Sequence, residues 1–218
     1  MGLILEFREH INVSIANLVL IFFTIFICPL FPGEVLIYLY PLCFSGIFLL
    51  VSMSMVTNMK FNLVTSGLLI FLTWAGILAG NEVLRGISRV LHFVFFIYLL
   101  ILKVSIIAGS AYVRKQLIID SITAYFLLGL AFSTIVTLLA SVLPGAYNIQ
   151  YSNVIDRFEP IKEYFYYTFV TFTSTGYGDI VPMRQEAKSL AVLIAVSGQL
   201  YVAIIIAMLV GKYSQTSK

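Results

Sequence analysis

The stretch from Ser174 to Asp179 reads Ser-Thr-Gly-Tyr-Gly-Asp and contains the residues of this chain best suited to cation chemistry. Gly176 and Gly178 carry no Cβ atom, so they can take left-handed backbone positions without a steric penalty. Alternating handedness along an extended segment turns successive backbone carbonyls to the same side. A row of carbonyl oxygens can replace the hydration shell of an ion. The segment is therefore a candidate site for a dehydrated cation.

The sequence offers little for covalent or acid–base catalysis. It has two histidines, His10 and His92, and two cysteines, Cys28 and Cys43. None of them combines with a carboxylate at a spacing typical of a metal site or a catalytic triad. Both cysteines lie in apolar stretches, which favours buried thiols over a disulfide. We therefore expect no enzymatic activity and no organic cofactor.

Two apolar segments must position the candidate cation site. Before it, Pro160 opens the segment 160–173, whose ~14 residues would form a helix of ~21 Å, too short to span a bilayer. Its apolar and aromatic side chains do not suit water, so a re-entrant helix buried among other helices satisfies both constraints. Its carboxyl end would direct the negative end of the helix dipole toward a cation. After the site, the apolar segment 187–211 is long enough to cross the membrane.

The composition of the whole chain requires a membrane. Of its 218 residues, 61% are hydrophobic and 11% are charged, and the mean hydropathy is +1.02. Soluble domains carry about 25% charged residues, so a soluble enzyme, a disordered chain and a disulfide scaffold are excluded. The net charge of +3 is spread too thinly for a nucleic-acid partner. Six apolar stretches predict an all-α membrane protein: 11–31, 35–56, 63–80, 86–109, 121–143 and 187–211.

The string TFTSTGYGDIVP at 171–182 resembles the selectivity filter of potassium channels. The Gly-Tyr-Gly-Asp sequence at 176–179 matches the family pattern, whereas Ser174 and Thr175 stand where the family usually has Thr and Val. The similarity extends over 160–211 and is to bacterial channels built from two helices and a pore loop.

The resemblance implies a potassium-selective channel that conducts K⁺ passively. By the resemblance, K⁺ binds the Ser174 hydroxyl and the backbone carbonyls of Ser174, Thr175, Gly176 and Tyr177, and Gly178 completes the filter. One chain supplies one filter strand and a carbonyl cage needs four, so we expect a homotetramer. A filter at the outer mouth implies a multi-pass protein of the plasma membrane with both termini in the cytoplasm. Basic residues divide evenly between the two sides and do not decide the orientation.

Further residues are implied to support the filter. Tyr166 and Tyr167 stand where many relatives have tryptophans, and the Tyr166 hydroxyl is expected to reach Asp179; the alternative is that both tyrosines are interface aromatics. Val170 stands where some relatives have glutamate, so a carboxylate pair behind the filter is absent. Thr175 places a hydroxyl behind the filter, where it must find a partner.

Gly198 aligns with the glycine that the family uses as a gating hinge in its inner helix. The expected gate is therefore at the inner end of that helix, which opens by a bend near Gly198. The alternative is a close-packing glycine, which lets another backbone approach the helix.

We divide the chain into a four-helix membrane domain, 1–110, and a pore domain, 111–218. The pore domain is predicted to contain an outer helix at 121–143, an exposed loop at 144–159, a pore helix at 160–173, a filter at 174–179 and an inner helix at 187–211.

The four-helix domain resembles the sensor half of voltage-gated channels only in its number of helices. Arg85, Arg89 and Lys103 are too widely spaced for a working sensor, and the first three spans contain no acidic residue. We expect the two arginines to extend to the outer face and Lys103 to the inner face. His92 is expected to pack or to hydrogen-bond between helices. Strong voltage dependence is therefore not expected.

Other functions fit parts of the pattern. Thr175 suggests a weakly selective cation channel, and potassium transporters contain similar pore loops, although usually with degenerate filter repeats. A scaffold that does not conduct is the third alternative. The expected partners are further copies of the chain and membrane lipid. A separate regulatory subunit is a further possible partner, and nucleic acid is not expected to bind.

Overall fold

The computed structural model describes residues 2–55, 58–110, 113–149 and 159–216. Within these ranges the chain is almost entirely helical, which confirms the all-α prediction. Its α-helices are α1 (Gly2–Phe22), α2 (Gly33–Ser54), α3 (Met59–Leu78), α4 (Glu82–Gly109), α5 (Lys115–Val142), α6 (Glu159–Phe172) and α7 (Gln185–Thr216). Two short strands, β1 (Tyr147–Ile149) and β2 (Ile180–Pro182), flank α6 and the segment after it.

Six helical segments of the described chain are long and apolar enough to cross a membrane. They correspond to α1 with its continuation, α2 to α5, and α7. The exception is α6, which has 14 residues and lies between the last two spans. The predicted short pore helix at 160–173 is therefore observed as Glu159–Phe172. A multi-pass membrane protein is the class that this architecture defines.

The spanning helices extend beyond the apolar stretches that predict them. The outer helix begins at Lys115 rather than 121, and the inner helix covers Gln185–Thr216 rather than 187–211. Apolar residues mark the part of a helix that meets lipid, whereas backbone hydrogen bonding continues into its polar ends. The first span deviates instead by continuing from α1 as a π-helix, Phe23–Ile27, and a 3₁₀ turn, Cys28–Leu30. Pro29 lies in that turn and has no N–H to donate, which favours such a local change.

Helix α4 begins at a defined cap. The Asn81 side chain accepts hydrogen bonds from the backbone N–H groups of Val83 and Leu84 at 3.0 and 3.1 Å. Glu82 follows in the first turn, where a helix N-terminus favours negative charge. These contacts start α4 at the membrane side that carries Arg85 and Arg89.

The main hydrophobic core joins the first four helices to the pore segment. It includes Phe48 of α2, Phe96 of α4, Leu127 of α5 and Phe165 of α6, all of them buried. Cys28 and Cys43 lie in the same core as free thiols with their Sγ atoms 3.6 Å apart. The short helix α6 is therefore held from the side by the four-helix domain as well as by α5 and α7.

The prediction that Lys103 extends to the inner face is wrong. Lys103 is 4% exposed, and its Nζ lies 2.6 Å from Oδ1 of Asp120, which is also buried. The Ser14 hydroxyl donates to the same carboxylate at 3.1 Å. Asp120 lies in α5, just before the apolar stretch that predicts the outer helix. An acidic partner in the next helix makes burial of the lysine tolerable.

The prediction of an exposed loop at 144–159 is wrong at residues 147–149; residues 150–158 lie outside the described chain. Strand β1 pairs antiparallel with β2, with Tyr147 opposite Pro182 and Ile149 opposite Ile180. Tyr147 is buried. The residues that follow the candidate cation site are therefore held in a two-stranded ribbon.

Candidate functional site

The end of helix α6 sets the start of the candidate filter. The Ser174 N–H donates to the Thr171 carbonyl and the Thr175 N–H to the Val170 carbonyl, both at 2.9 Å. This pair of bonds, with a left-handed residue between them, is a Schellman cap. Ser174 is that residue, with φ of +59°. Helices usually place glycine there, because a left-handed L-residue costs roughly 1 kcal/mol.

Left-handed backbone recurs at every second residue beyond the cap. Gly176 has φ of +55° and Gly178 has φ of +80°, whereas Thr175 and Tyr177 between them do not have positive φ. Gly176 also donates its N–H to the Val170 carbonyl at 3.3 Å. The alternation predicted for the two glycines is therefore present, and Ser174 extends it by one position.

The Thr175 hydroxyl has the partner that it requires. Its Oγ1 lies 3.0 Å from Oγ1 of Thr173. Thr173 Oγ1 in turn donates to the Phe169 carbonyl at 2.8 Å, which leaves Thr175 as the donor in the bond between the two threonines. The Thr175 side chain is thus tied to the end of α6.

Asp179 is held at the other end of the segment. The Tyr166 hydroxyl donates to Asp179 Oδ2 at 2.6 Å, and the Ile180 N–H donates to Oδ1 at 3.0 Å. The contact expected between Tyr166 and Asp179 is present. The hydrogen bond from Tyr166 holds the pKa of the Asp179 carboxyl below its ordinary value and raises the pKa of Tyr166 to about 12.

Val170 contacts the candidate filter through its backbone, and Tyr167 contacts the neighbouring strand through its ring. Val170 contributes its carbonyl, which accepts from Thr175 and Gly176. Tyr167 is buried, and its ring packs on Tyr147 of β1 with centroids 5.0 Å apart. Tyr167 therefore contacts the ribbon beside the filter, and its role as a support residue stays a prediction.

Helix α7 approaches the end of α6 at Gly198. A Cβ atom at this position would lie 2.0 Å from the Phe172 carbonyl oxygen. The next residue, Gln199, donates from Nε2 to the Ser174 hydroxyl oxygen at 3.1 Å. The geometry gives the close-packing interpretation a direct physical reason, and the hinge stays a prediction.

Two of these contacts are not evident from the sequence. Gln199 lies in an apolar helix 25 residues after Ser174, and no local pattern pairs them. Strand β1 has three residues and its partner follows the filter, so only tertiary pairing identifies it. Thr173 could have been found, because two hydroxyl residues at i and i+2 are close enough to hydrogen-bond at a helix end.

The candidate filter segment is exposed in the described chain. Residues 174–178 are all exposed, and the Tyr177 side chain is 71% exposed. Within the described residues no cluster of three or more His, Cys, Asp or Glu side chains could hold a metal ion. The candidate cation ligands are therefore carbonyl and hydroxyl oxygens of this exposed segment.

Comparison with known families agrees with this geometry. Residues 124–215, from within α5 through the candidate filter to α7, match the family described as "Ion channel". The match supports a passive ion channel. Neither the curated proteins nor the solved structures contain a match to the chain.

Proposed function

We propose that the chain is one subunit of a homotetrameric channel that conducts K⁺ selectively across the plasma membrane. The observation that carries the proposal is the left-handed backbone at Ser174, Gly176 and Gly178. Alternation of handedness aligns the intervening carbonyls along one side of the strand, as cation coordination requires. The segment is also fixed at both ends, by the cap of α6 and by Tyr166 at Asp179.

In the proposed mechanism K⁺ sheds water and passes in single file between carbonyl sites. The ligands are the carbonyl oxygens of Ser174, Thr175, Gly176 and Tyr177, with the Ser174 hydroxyl at the innermost site. A hydroxyl oxygen has two lone pairs, so Ser174 can accept from Gln199 with one and face K⁺ with the other. The same carbonyl oxygens coordinate the smaller Na⁺ less well.

A tetramer accounts for surfaces that one subunit leaves exposed. Only 17% of the most apolar window of α7 is buried within the subunit, compared with 61% for α5. Large apolar side chains on α7, Val192, Val196 and Leu200 among them, are exposed. Tyr177 of the candidate filter is also exposed. Packing of four α7 helices and four filter strands around one axis covers these groups.

The proposal includes an orientation. With the filter at the outer mouth, both termini lie in the cytoplasm and the gate lies at the inner end of α7. Opening by a bend near Gly198 belongs to this proposal. Lipid surrounds the four-helix domain, and the assembly has room for a separate regulatory subunit. K⁺ is the permeant ion, and the proposal includes no organic cofactor.

The test is ion flux in liposomes that contain the purified protein. A K⁺ gradient should drive rapid flux that barium blocks, whereas an equal Na⁺ gradient should drive little. Equal fluxes would identify a weakly selective cation channel and contradict the proposal. Absence of flux in both gradients would contradict conduction and favour a transporter subunit or a scaffold.

A matched pair of variants links the flux to the filter backbone. Gly178→Ala forces a side chain into the left-handed position of the filter. Gly145→Ala does the same at φ of +75° outside the filter, in open space. The first variant should lose K⁺ selectivity or flux, and the second should retain both. Equal loss in both variants would show that strain alone accounts for the effect.

A further inference from the structure

A cavity of about 180 Å³ lies between the four-helix domain and the pore domain. It is on the side of the membrane where α4 begins, and it is separate from the filter. Helices α2, α3 and α4 form one wall, and α5 and α6 form the other. Its polar and charged lining includes Tyr40, Thr73, Arg85, Ser88, Arg89 and His92.

The charge of this cavity is positive. Arg85 pairs with Glu82 at 2.8 Å, but the Glu82 side chain is 74% exposed and is not part of the lining. Arg89 donates to the Ser141 hydroxyl at 3.5 Å, and no acidic side chain of the described chain forms an ion pair with it. Two guanidinium groups against one carboxylate leave an excess of positive charge.

Two buried donors in the lining have no partner within the described residues. They are the hydroxyl of Tyr40, a residue that is 4% exposed, and Nε of Arg85. Buried polar groups are paired in the great majority of cases. Both residues line the cavity, but these two atoms are themselves buried, so the attraction for an anion comes from the guanidinium charges of Arg85 and Arg89.

The remaining walls are apolar. Phe44 and Ile77 line the cavity, and Phe165 of α6 lies there with its ring centroid 4.8 Å from that of Tyr40. His92 does not add charge freely, because its two ring nitrogens are occupied by Thr73 and Ser88 at 3.2 Å. A ligand with both an anionic oxygen group and a hydrocarbon part matches this surface.

We propose that the cavity binds the phosphate group of an anionic phospholipid. Arg85 and Arg89 hold the phosphate oxygens, and the first part of an acyl chain packs on Phe44 and Phe165. Arg89 lies seven residues after the start of α4, about 11 Å along the helix axis, which is within reach of the lipid head groups. The volume holds a phosphate and a short length of chain, so the rest of the lipid extends into the bilayer.

The single tryptophan of the chain allows a direct test. Trp74 lies in α3 and follows Thr73 of the cavity lining in the sequence. The full chain in phosphatidylcholine vesicles is titrated with brominated phosphatidylglycerol or brominated phosphatidylcholine, and quenching of Trp74 fluorescence is followed. The anionic lipid should quench at lower mole fraction than the zwitterionic lipid, and inorganic phosphate should not reverse the effect.

Variants separate the site from general attraction to the surface. Arg89→Gln should weaken the preference for the anionic lipid about tenfold, as expected for loss of one charge-assisted hydrogen bond. Lys188→Gln, which removes a charge outside the cavity, should leave it unchanged. Equal quenching by both lipids, or equal effects of Arg89→Gln and Lys188→Gln, would overturn the proposal. Reversal by inorganic phosphate would replace the lipid with a soluble anion.

A second measurement does not depend on fluorescence or on ion flux. Anionic lipid should raise the thermal unfolding midpoint of the wild type more than that of Arg89→Gln. An equal rise of the midpoint in both proteins would contradict binding at this cavity. The midpoint can be measured whether or not the protein conducts K⁺.

Discussion

Ser174 shows how one residue can serve two structures. It is the left-handed cap of α6 and also the first residue of the alternating backbone in the candidate filter. Glycine would relieve the strain but would remove the hydroxyl that Gln199 contacts. The left-handed glycines were predictable from their spacing in the sequence. The Tyr166 contact was predictable from the resemblance to potassium channels in the same short stretch. The cap was not, because it depends on where the helix ends.

The Thr175 hydroxyl should have little influence on selectivity. Thr175→Val removes one hydrogen bond to Thr173 and should cost about 1 kcal/mol or less of stability. The K⁺/Na⁺ permeability ratio should stay unchanged, because the hydroxyl faces Thr173. Thermal unfolding and reversal potentials measure the two effects. As a control, Thr173→Val should cost more, because it also loses the bond to Phe169. A large change in the ratio for Thr175→Val would place that hydroxyl in the ion path.

Acidification should release the outer end of the filter. Because the pKa of Asp179 is lowered by Tyr166, their contact is complete above the ordinary carboxyl pKa and is lost as pH falls through the lowered value. In Tyr166→Phe the contact is absent at every pH, so current should be reduced at neutral pH and the part of the acid-dependent loss that comes from the contact should disappear. Current recorded against external pH measures this difference. Tyr164→Phe is the control, and identical pH profiles for Tyr166→Phe and wild type would contradict the role of the contact.

At the scale of elements, the short helix and the spanning helices were predictable, because each follows from a continuous apolar segment. The ribbon of β1 and β2 was not. Tyr147–Ile149 has no strand signal strong enough to outweigh its turn-forming neighbours, and its partner lies beyond the filter. Strand preference depends strongly on such tertiary context.

Gly198 can be tested as a contact between α6 and α7. Gly198→Ala would place a methyl group 2.0 Å from the Phe172 carbonyl oxygen, and overpacking of this kind costs about 1–3 kcal/mol. We expect a lower unfolding midpoint and reduced current. The double variant Ala195→Gly/Gly198→Ala restores a glycine one turn earlier in α7. It does not restore the space between residue 198 and the Phe172 carbonyl oxygen.

The double variant separates the two interpretations of Gly198. Close packing predicts that it stays defective in both unfolding and current, whereas a hinge predicts recovery of open probability. Ala195→Gly alone is the control for added flexibility. Unchanged stability and open probability in Gly198→Ala would contradict both interpretations.

At the scale of the whole molecule, buried polar contacts connect the four-helix domain to the pore. The Asp120 carboxylate of α5 accepts hydrogen bonds from Ser14 of α1 and Lys103 of α4. Lys212 of α7 donates to the carbonyls of Ile107 and Ala108 at the end of α4. These contacts were not predictable, because each joins helices that the sequence places in separate segments. Movement of α7 must therefore affect α4.

The Lys103–Asp120 pair should be coupled in stability. Lys103→Met leaves a buried carboxylate without its partner and should cost about 3–5 kcal/mol. The double variant Lys103→Met/Asp120→Leu should recover most of that loss, because an apolar pair needs no compensation. Denaturant unfolding of the wild type, both single variants and the double variant gives the coupling. Additive losses would contradict a direct interaction.

The central claim is that this chain forms a filter that selects K⁺ by backbone carbonyls. It is tested most directly by the reversal potential of the purified protein in a planar bilayer with KCl on one side and an equal concentration of NaCl on the other. We predict a reversal potential far from zero, with the sign that K⁺ permeation requires, and its loss in Gly178→Ala but not in Gly145→Ala. A reversal potential near zero for the wild type would contradict the claim.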